Sequence, residues 1–139
     1  MRSKYGALER LAGPLRERVP FATPVGKVPL VYGYVVTAED EPDYADACSE
    51  LLRTWATTRG WEMRAVFRDV GADSTQPVCP AFTTLQEVLQ LTGGDASVLV
   101  VDKRHLSRKA GGVRELTAEI QRTGATIRAL TDELTRAQL

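Results

Sequence analysis

The sequence predicts an α/β fold, in which an open and mostly parallel sheet of about four strands lies between two layers of helices. Short apolar runs rich in β-branched and aromatic residues, at 30–37 and 96–101, have the composition of strands buried on both faces. Amphipathic segments with helical spacing separate the runs, and this alternation is typical of βαβ units with right-handed crossovers. With 139 residues, the chain is long enough for one domain with its own core.

The first strand, residues 30–37, leads through an acidic, turn-prone segment into the clearest helix of the sequence. Asp40 or Glu41 can cap this helix, while Pro42 suits its first position and Gly60 suits its end. The buried face of the helix is predicted to consist of residues at helical spacing: Tyr44, Cys48, Leu51, Leu52 and Trp55. We therefore interpret Cys48 as a small core residue and not as a reactive thiol.

Alternating polarity over residues 61–69 predicts the second strand, which is followed by a loop that begins at Gly71. We expect the second helix to run from about Phe82 to the glycine pair at 93–94. Two pairs are candidates for its N-terminal capping box: Thr83 with Gln86, and Thr84 with Glu87.

The rest of the chain continues the alternation of strand and helix. The apolar run at 96–101 predicts a third strand, and a third helix is expected to stop at Gly124. That helix carries three apolar residues on one face: Val113, Leu116 and Ile120. A fourth strand is predicted over residues 125–130, and the nine residues that remain form two helical turns at most.

Residues 1–27 are predicted to be a helical extension and linker, and residues 28–139 to form the α/β domain. Apolar residues of the extension follow helical spacing: Tyr5, Leu8, Ala12, Leu15 and Val19. Gly13 and Pro14 interrupt the spacing, so a kinked helix or two short helices are expected. Two interpretations stay open: the extension packs on the domain's own surface, or it docks with a partner or a second copy.

Charge and composition exclude several classes of protein. The 18 basic and 18 acidic residues balance, so no net field draws the chain to nucleic acid or membrane. Two cysteines without CxxC spacing and a single histidine argue against a metal site, and no cofactor is expected. There is neither an apolar run of about 18 residues nor a signal peptide, which predicts a soluble, cytoplasmic protein without membrane contact.

Five motifs, in the same order, resemble the catalytic domain of serine recombinases, the resolvase/invertase family. Residues 32–37, YGYVVT, are similar to the family's Tyr-x-Arg-Val-Ser-Thr segment. The other four motifs are residues 59–69 (RGWEMRAVFRD), Gly71 and Ser74 with 80–82 (PAF), residues 98–108 and residues 124–131. The resemblance covers about residues 30–131 and implies a resolvase-like sheet with strand order 2-1-3-4.

The resemblance implies a serine that attacks a DNA phosphodiester, together with arginines that stabilise the transition state. In this chain the nucleophile position holds Val36, and the arginine two residues earlier is replaced by Tyr34. The arginine before the loop's proline is replaced by Cys79. The chain is therefore predicted to be a catalytically inactive relative, because nucleophilic catalysis needs the nucleophile and its activators together.

Part of the family's site is retained in altered form. Asp69 stands at its family position, and in the Asp-Arg-Leu-Ser-Arg motif Arg104 and His105 replace the first two residues while Arg108 is kept. A candidate anion-binding remnant follows from these positions: Lys103, Arg104, His105 and Arg108. In the implied strand order these bases lie near the acidic residues Glu39, Asp40 and Glu41. An internal ion-pair network is therefore expected in place of a phosphate-binding site.

Thr37 and Ser107 are the two substitutes considered for the missing nucleophile. Thr37 adjoins Val36, but neighbouring strand residues face opposite sides of a sheet, so its use would require a bulge. Ser107 lies in the basic stretch, at a position where family members commonly carry a serine that is not the nucleophile. Neither residue is favoured as an active nucleophile.

Three functions are compatible with the sequence. The favoured one is an inactive serine-recombinase-like domain that acts as a protein-interaction or regulatory module, through a protein partner or self-association, with residues 1–27 as the candidate contact surface. The alternative is a nucleic-acid or phosphate-binding accessory protein related to site-specific DNA recombination, which binds DNA weakly through the basic remnant. The third is a different enzyme on the same frame that uses Ser107, His105 or Asp69.

Overall fold

The computed structural model describes residues 6, 8–12, 30–37, 41–70, 80–92, 95–103 and 112–137. The strands are β1 (Leu30–Thr37), β2 (Glu62–Val70), β3 (Ala96–Val100) and β4 (Thr126–Ala129). The helices are α1 (Pro42–Arg59), α2 (Pro80–Thr92), α3 (Gly112–Arg122) and α4 (Leu130–Ala137). Strand and helix alternate along the chain, as the apolar runs predicted.

The strands form one parallel sheet in the order β2-β1-β3-β4, which confirms the predicted fold class and strand order. β1 and β3 are neighbours, with Gly33 opposite Leu99. At the carboxyl end of β1, Val36 lies opposite Asp69 of β2, and Thr37 lies opposite Val70. The sheet thus brings Asp69 directly beside the residue that the resemblance aligns with the nucleophile.

Two hydrophobic clusters cover the two faces of the sheet, so helices pack on both sides. The first cluster joins the sheet to α1 and α4 through residues that include Val35, Leu52, Trp55, Leu130 and Leu134. The second joins it to α2 and α3 through residues that include Tyr34, Val36, Phe82, Leu85 and Ile120. Val35 and Val36 therefore face opposite layers, as the two-residue period of a strand requires.

Helix α1 agrees with the sequence except at its cap. Pro42 begins the helix, and Gly60 ends it in the left-handed conformation with φ 72°. The predicted cap is not formed by Glu41, which occupies the N-cap position without a side-chain cap hydrogen bond; Asp40 lies outside the described residues. Cys48 is fully buried in the first cluster and is not part of a disulfide, so it is a small core residue, as predicted.

Helix α2 begins at Pro80, two residues earlier than predicted. Thr83 and Thr84 therefore lie inside the helix, and the Thr84 hydroxyl donates to the carbonyl oxygen of Pro80 at 3.1 Å. The predicted capping box is wrong. The cap comes instead from Asp69, whose carboxylate accepts hydrogen bonds from the backbone N–H groups of Ala81 and Phe82.

The C-terminal elements are close to prediction. The fourth strand is shorter than expected, because Leu130 already begins α4, which spans eight residues and two turns. Gly124, with φ 91°, ends the preceding helical stretch as predicted.

The N-terminal helical segment, defined here as residues 8–12, packs on α1. Leu8 is buried in the first cluster, and Leu11 and Ala12 lie against it. This part of residues 1–27 therefore covers the domain's own surface, which is the first of the two interpretations; the rest of the extension, apart from Gly6, lies outside the described residues. In the described part of the chain, no helix is long and apolar enough to cross a membrane.

Candidate functional site

The carboxyl end of β1 and β2 carries a buried polar centre at Asp69, which is 7% exposed. The Tyr34 hydroxyl donates to Oδ2 of Asp69 at 2.7 Å. The backbone N–H groups of Ala81 and Phe82 donate to Oδ1 at 2.9 Å and to Oδ2 at 3.0 Å. One carboxylate thus links two strands and the first turn of α2.

In this arrangement the N-terminus of α2 is capped by a side chain of the same protein. A helix N-terminus attracts anions because its first N–H groups have no partner within the helix and the helix dipole is positive there. Here the carboxylate of Asp69 takes two of those N–H groups and adds negative charge at the same point. A second anion such as a DNA phosphate would meet repulsion from Asp69.

Val36 lies in an apolar environment. Its side chain is 8% exposed and belongs to the second cluster, together with Tyr32, Tyr34 and Phe82. The rings of Tyr34 and Phe82 meet edge to face, with centroids 5.3 Å apart. The described side chains around Val36 therefore provide apolar packing, the hydroxyls of Tyr32 and Tyr34, and the carboxylate of Asp69, to which the Tyr34 hydroxyl is bonded.

Thr37 faces the opposite layer from Val36. The register between β1 and β2 is regular from Tyr32 to Thr37, so no bulge brings the Thr37 hydroxyl to the side of Asp69. Thr37 is 2% exposed, and its Oγ1 has no hydrogen-bond partner among the residues described. Its position agrees with the sequence argument against Thr37 as a substitute nucleophile.

Of the candidate anion-binding remnant, only Lys103 lies within the described residues. Its Nζ is 3.7 Å from Oδ2 of Asp132 in α4, and both side chains are about half exposed. Several predicted site residues lie outside the described residues: Cys79, Arg104, His105, Ser107 and Arg108. Glu39 and Asp40 do so as well, so the ion-pair network between the two stretches stays a prediction.

Tyr44 on α1 has a raised pKa. Burial is the main cause, followed by the neighbouring Cys48, to which Tyr44 is hydrogen-bonded, and then by the negative charges of Glu41 and Asp102. All of these favour the neutral phenol. Acidic groups just before α1 and just after β3 therefore influence the same hydroxyl.

The raised pKa of Tyr44 predicts a loss of stability at alkaline pH. The folded protein keeps the phenolic proton, whereas the unfolded chain releases it near its ordinary pKa of about 10, so stability falls as the pH rises above that value. In the Tyr44→Phe variant this contribution is absent. Urea denaturation at neutral and strongly alkaline pH measures it; equal pH dependence in both proteins would contradict the prediction.

A cluster of ion pairs that links α4 to α1 and β4 was not predicted from the sequence. Glu133 accepts from Arg59 of α1 at 3.3 Å and from Arg128 of β4 at 3.2 Å. Both guanidinium groups lie over the ring of Trp61, with centroid distances of 5.9 and 4.9 Å. Arg59 and Glu133 are 74 residues apart, which is why no local pattern indicates their contact.

Replacing Glu133 with alanine is expected to lower the free energy of unfolding by about 1–2 kcal/mol, since it removes the carboxylate that pairs with the partly buried Arg59 and with the more exposed Arg128. Glu62→Ala is the matched control, because Glu62 makes one ion pair with Arg64 in which both side chains are about half exposed. That control is expected to cost less than about 0.5 kcal/mol. Chemical denaturation measures both, and equal effects would contradict the role given to Glu133.

The sequence model of the resolvase N-terminal domain family matches residues 31–138. Curated proteins give no significant match to the sequence.

Among solved structures, the C-terminal catalytic domain of ISC1926 TnpA, an IS607-like serine recombinase, is similar with a TM-score of 0.62 and 18% identity, over 78% of this chain and 77% of that one. The N-terminal catalytic domain of TP901-1 integrase is similar with a TM-score of 0.63 and 19% sequence identity, over 74% of this chain and 78% of that one. A resolvase family site-specific recombinase from Streptococcus pneumoniae is similar with a TM-score of 0.60 and 20% sequence identity, over 76% of this chain and 74% of that one. At sequence identities of 18% to 20%, these structural similarities establish the fold.

Proposed function

This chain belongs to the resolvase N-terminal domain family of serine recombinases, and we propose that it is a catalytically inactive member that acts as a protein-interaction or regulatory module. The observation that carries the proposal is the surroundings of Val36. The resemblance aligns this residue with the nucleophile, and it is buried in the cluster that also holds Tyr32, Tyr34 and Phe82. A valine side chain has no lone pair with which to attack phosphorus, and it has no proton for a base to remove.

The position of Tyr34 supports the same conclusion. Where the family pattern has a guanidinium, this chain has a neutral phenol whose hydrogen bond is directed to Asp69. Transfer of a phosphoryl group requires positive charge beside the phosphate, because negative charge accumulates there in the transition state. At the position of that guanidinium Tyr34 supplies an uncharged hydroxyl, so the positive charge that the family pattern places there is missing.

The alternative role, binding to DNA or another phosphate, has less support. Lys103 is within ion-pair distance of Asp132, and the N-terminus of α2 is capped by Asp69. A gel shift at low salt tests this alternative. We expect no shift at micromolar protein, whereas binding that weakens steeply with added salt would favour the alternative.

The interaction role has its own test. Affinity purification from the native cells, combined with sedimentation velocity of the purified chain, is expected to reveal either a protein partner or self-association. A strictly monomeric chain that captures no partner would contradict the interaction role, while leaving catalytic inactivity to be judged by DNA cleavage.

A further inference from the structure

A groove of about 210 Å³ lies between the N-terminal helical segment and α1. Its floor is apolar and is formed by Leu8 and Ala12 on one side and by Ala47 and Leu51 on the other. Leu8 and Leu51 are themselves anchored in the first cluster, so the floor is held by the core. Two helical segments thus form the walls of a channel open to solvent.

Two carboxylates flank this floor, Glu9 from the N-terminal segment and Glu50 from α1. Both side chains are exposed, and neither has an ion-pair or hydrogen-bond partner among the residues that the structure describes. Asp46 on the same helix differs, because it pairs with Arg68 at 2.7 Å. Arg10 and Arg53 adjoin the groove in sequence, but they do not line it. The rim of the groove is therefore acidic and uncompensated within the described part of the chain.

We propose that this groove binds a cationic amphipathic helix of another protein. The apolar side of such a helix would cover the floor, and its lysine or arginine side chains would pair with Glu9 and Glu50. On α1 the lining residues Ala47, Glu50, Leu51 and Thr54 follow the i, i+3, i+4, i+7 spacing that a packed helix meets.

Charge also distinguishes this partner from a second copy of the chain. A two-fold contact through the groove would place the same surface on both sides, so Glu9 and Glu50 would face each other's counterparts. Like charges opposed across an interface disfavour association. The inference deepens the interaction role proposed above and rests on it, but catalytic inactivity does not depend on it.

A labelled synthetic peptide tests the inference. The probe is a leucine–lysine amphipathic helix of about 18 residues, and its counterpart carries glutamate in place of every lysine. Fluorescence anisotropy is expected to show binding of the lysine peptide alone. The double variant Glu9→Lys with Glu50→Lys is expected to lose affinity by about tenfold or more, because two attractive pairs become repulsive.

The matched control is the double variant Glu87→Lys with Glu115→Lys, which makes the same change of net charge at exposed sites on α2 and α3. It is expected to change affinity by less than about twofold. Equal weakening by both double variants, or no binding of the lysine peptide to the natural chain, would overturn the inference. So would a dimer of the natural chain that disappears in the Glu9 and Glu50 variant, because the groove would then bind a second copy.

Discussion

Replacing Asp69 with alanine is expected to lower the free energy of unfolding by about 3 kcal/mol, one of the two largest effects of the substitutions considered. The carboxylate accepts from Tyr34, Ala81 and Phe82, so its removal takes away the cap of α2 and leaves the Tyr34 hydroxyl without this acceptor. Buried donors without acceptors cost about 1–3 kcal/mol each, although such costs do not add fully. Urea denaturation measures the loss.

Two comparisons make the Asp69 prediction specific. Asp132→Ala removes an acid whose ion pair with Lys103 is about half exposed, and it is expected to cost less than about 1 kcal/mol. Hydrogen exchange of the described residues 81–84 is expected to accelerate in the Asp69 variant and to stay unchanged in the Asp132 variant. Equal stability loss in the two variants, or an unchanged first turn of α2, would contradict the capping role.

Truncation of Tyr34 to alanine is expected to cost about 4 kcal/mol, because a large side chain that is only 1% exposed leaves a cavity beside Phe82. Tyr34→Phe isolates the hydroxyl, and the loss of its bond to Asp69 is expected to account for about 1–2 kcal/mol of the total. Denaturation curves of both variants give the two quantities separately.

Tyr32→Phe is the matched control for the hydroxyl. Tyr32 lies on the same strand and the same face, 6% exposed, but its hydroxyl has no hydrogen bond to the described residues. Its removal is expected to change stability by less than about 0.5 kcal/mol. If Tyr32→Phe and Tyr34→Phe had the same cost, the bond between Tyr34 and Asp69 would have no special role.

The elements that the sequence predicted well are those with local signals. The run from Leu30 to Thr37 has the unbroken apolar character of a strand buried on both faces, and the structure places the strand at those residues. Helix α1 combines an apolar stripe with Pro42 at its start and Gly60 at its end, so its limits were also predictable. The strand order could not come from local pattern, and it was predicted through the resemblance alone.

The features that were missed depend on contacts between distant residues. The α2 cap is supplied by Asp69, which is 12 residues before Ala81 and belongs to another element. Thr83 and Thr84 match the sequence pattern of a capping box although they lie inside α2. The predicted start of the helix was therefore two residues too late. The arginines on Trp61 meet Glu133 only because α4 packs on the same face of the sheet as α1, and no spacing in the sequence encodes that.

The candidate site was predictable in part. The resemblance pointed to Tyr34, Val36 and Asp69 before their geometry was known, and these residues do lie together at the carboxyl end of β1 and β2. The bond between Tyr34 and Asp69 was not foreseen, because the family pattern has an arginine at that position and gives no partner for a phenol. The basic remnant beyond Lys103 lies outside the described residues and stays a prediction.

We propose that this chain forms no covalent link to DNA, and a cleavage assay on supercoiled plasmid tests this most directly. Thr37→Val and Ser107→Ala are the accompanying variants, and the first is nearly isosteric at a buried hydroxyl that has no partner among the described residues. We predict that the plasmid stays supercoiled and that mass spectrometry after nuclease digestion finds no nucleotide on any of the three proteins. Strand breaks by the natural chain that disappear in either variant, with a nucleotide attached to the corresponding residue, would contradict the claim.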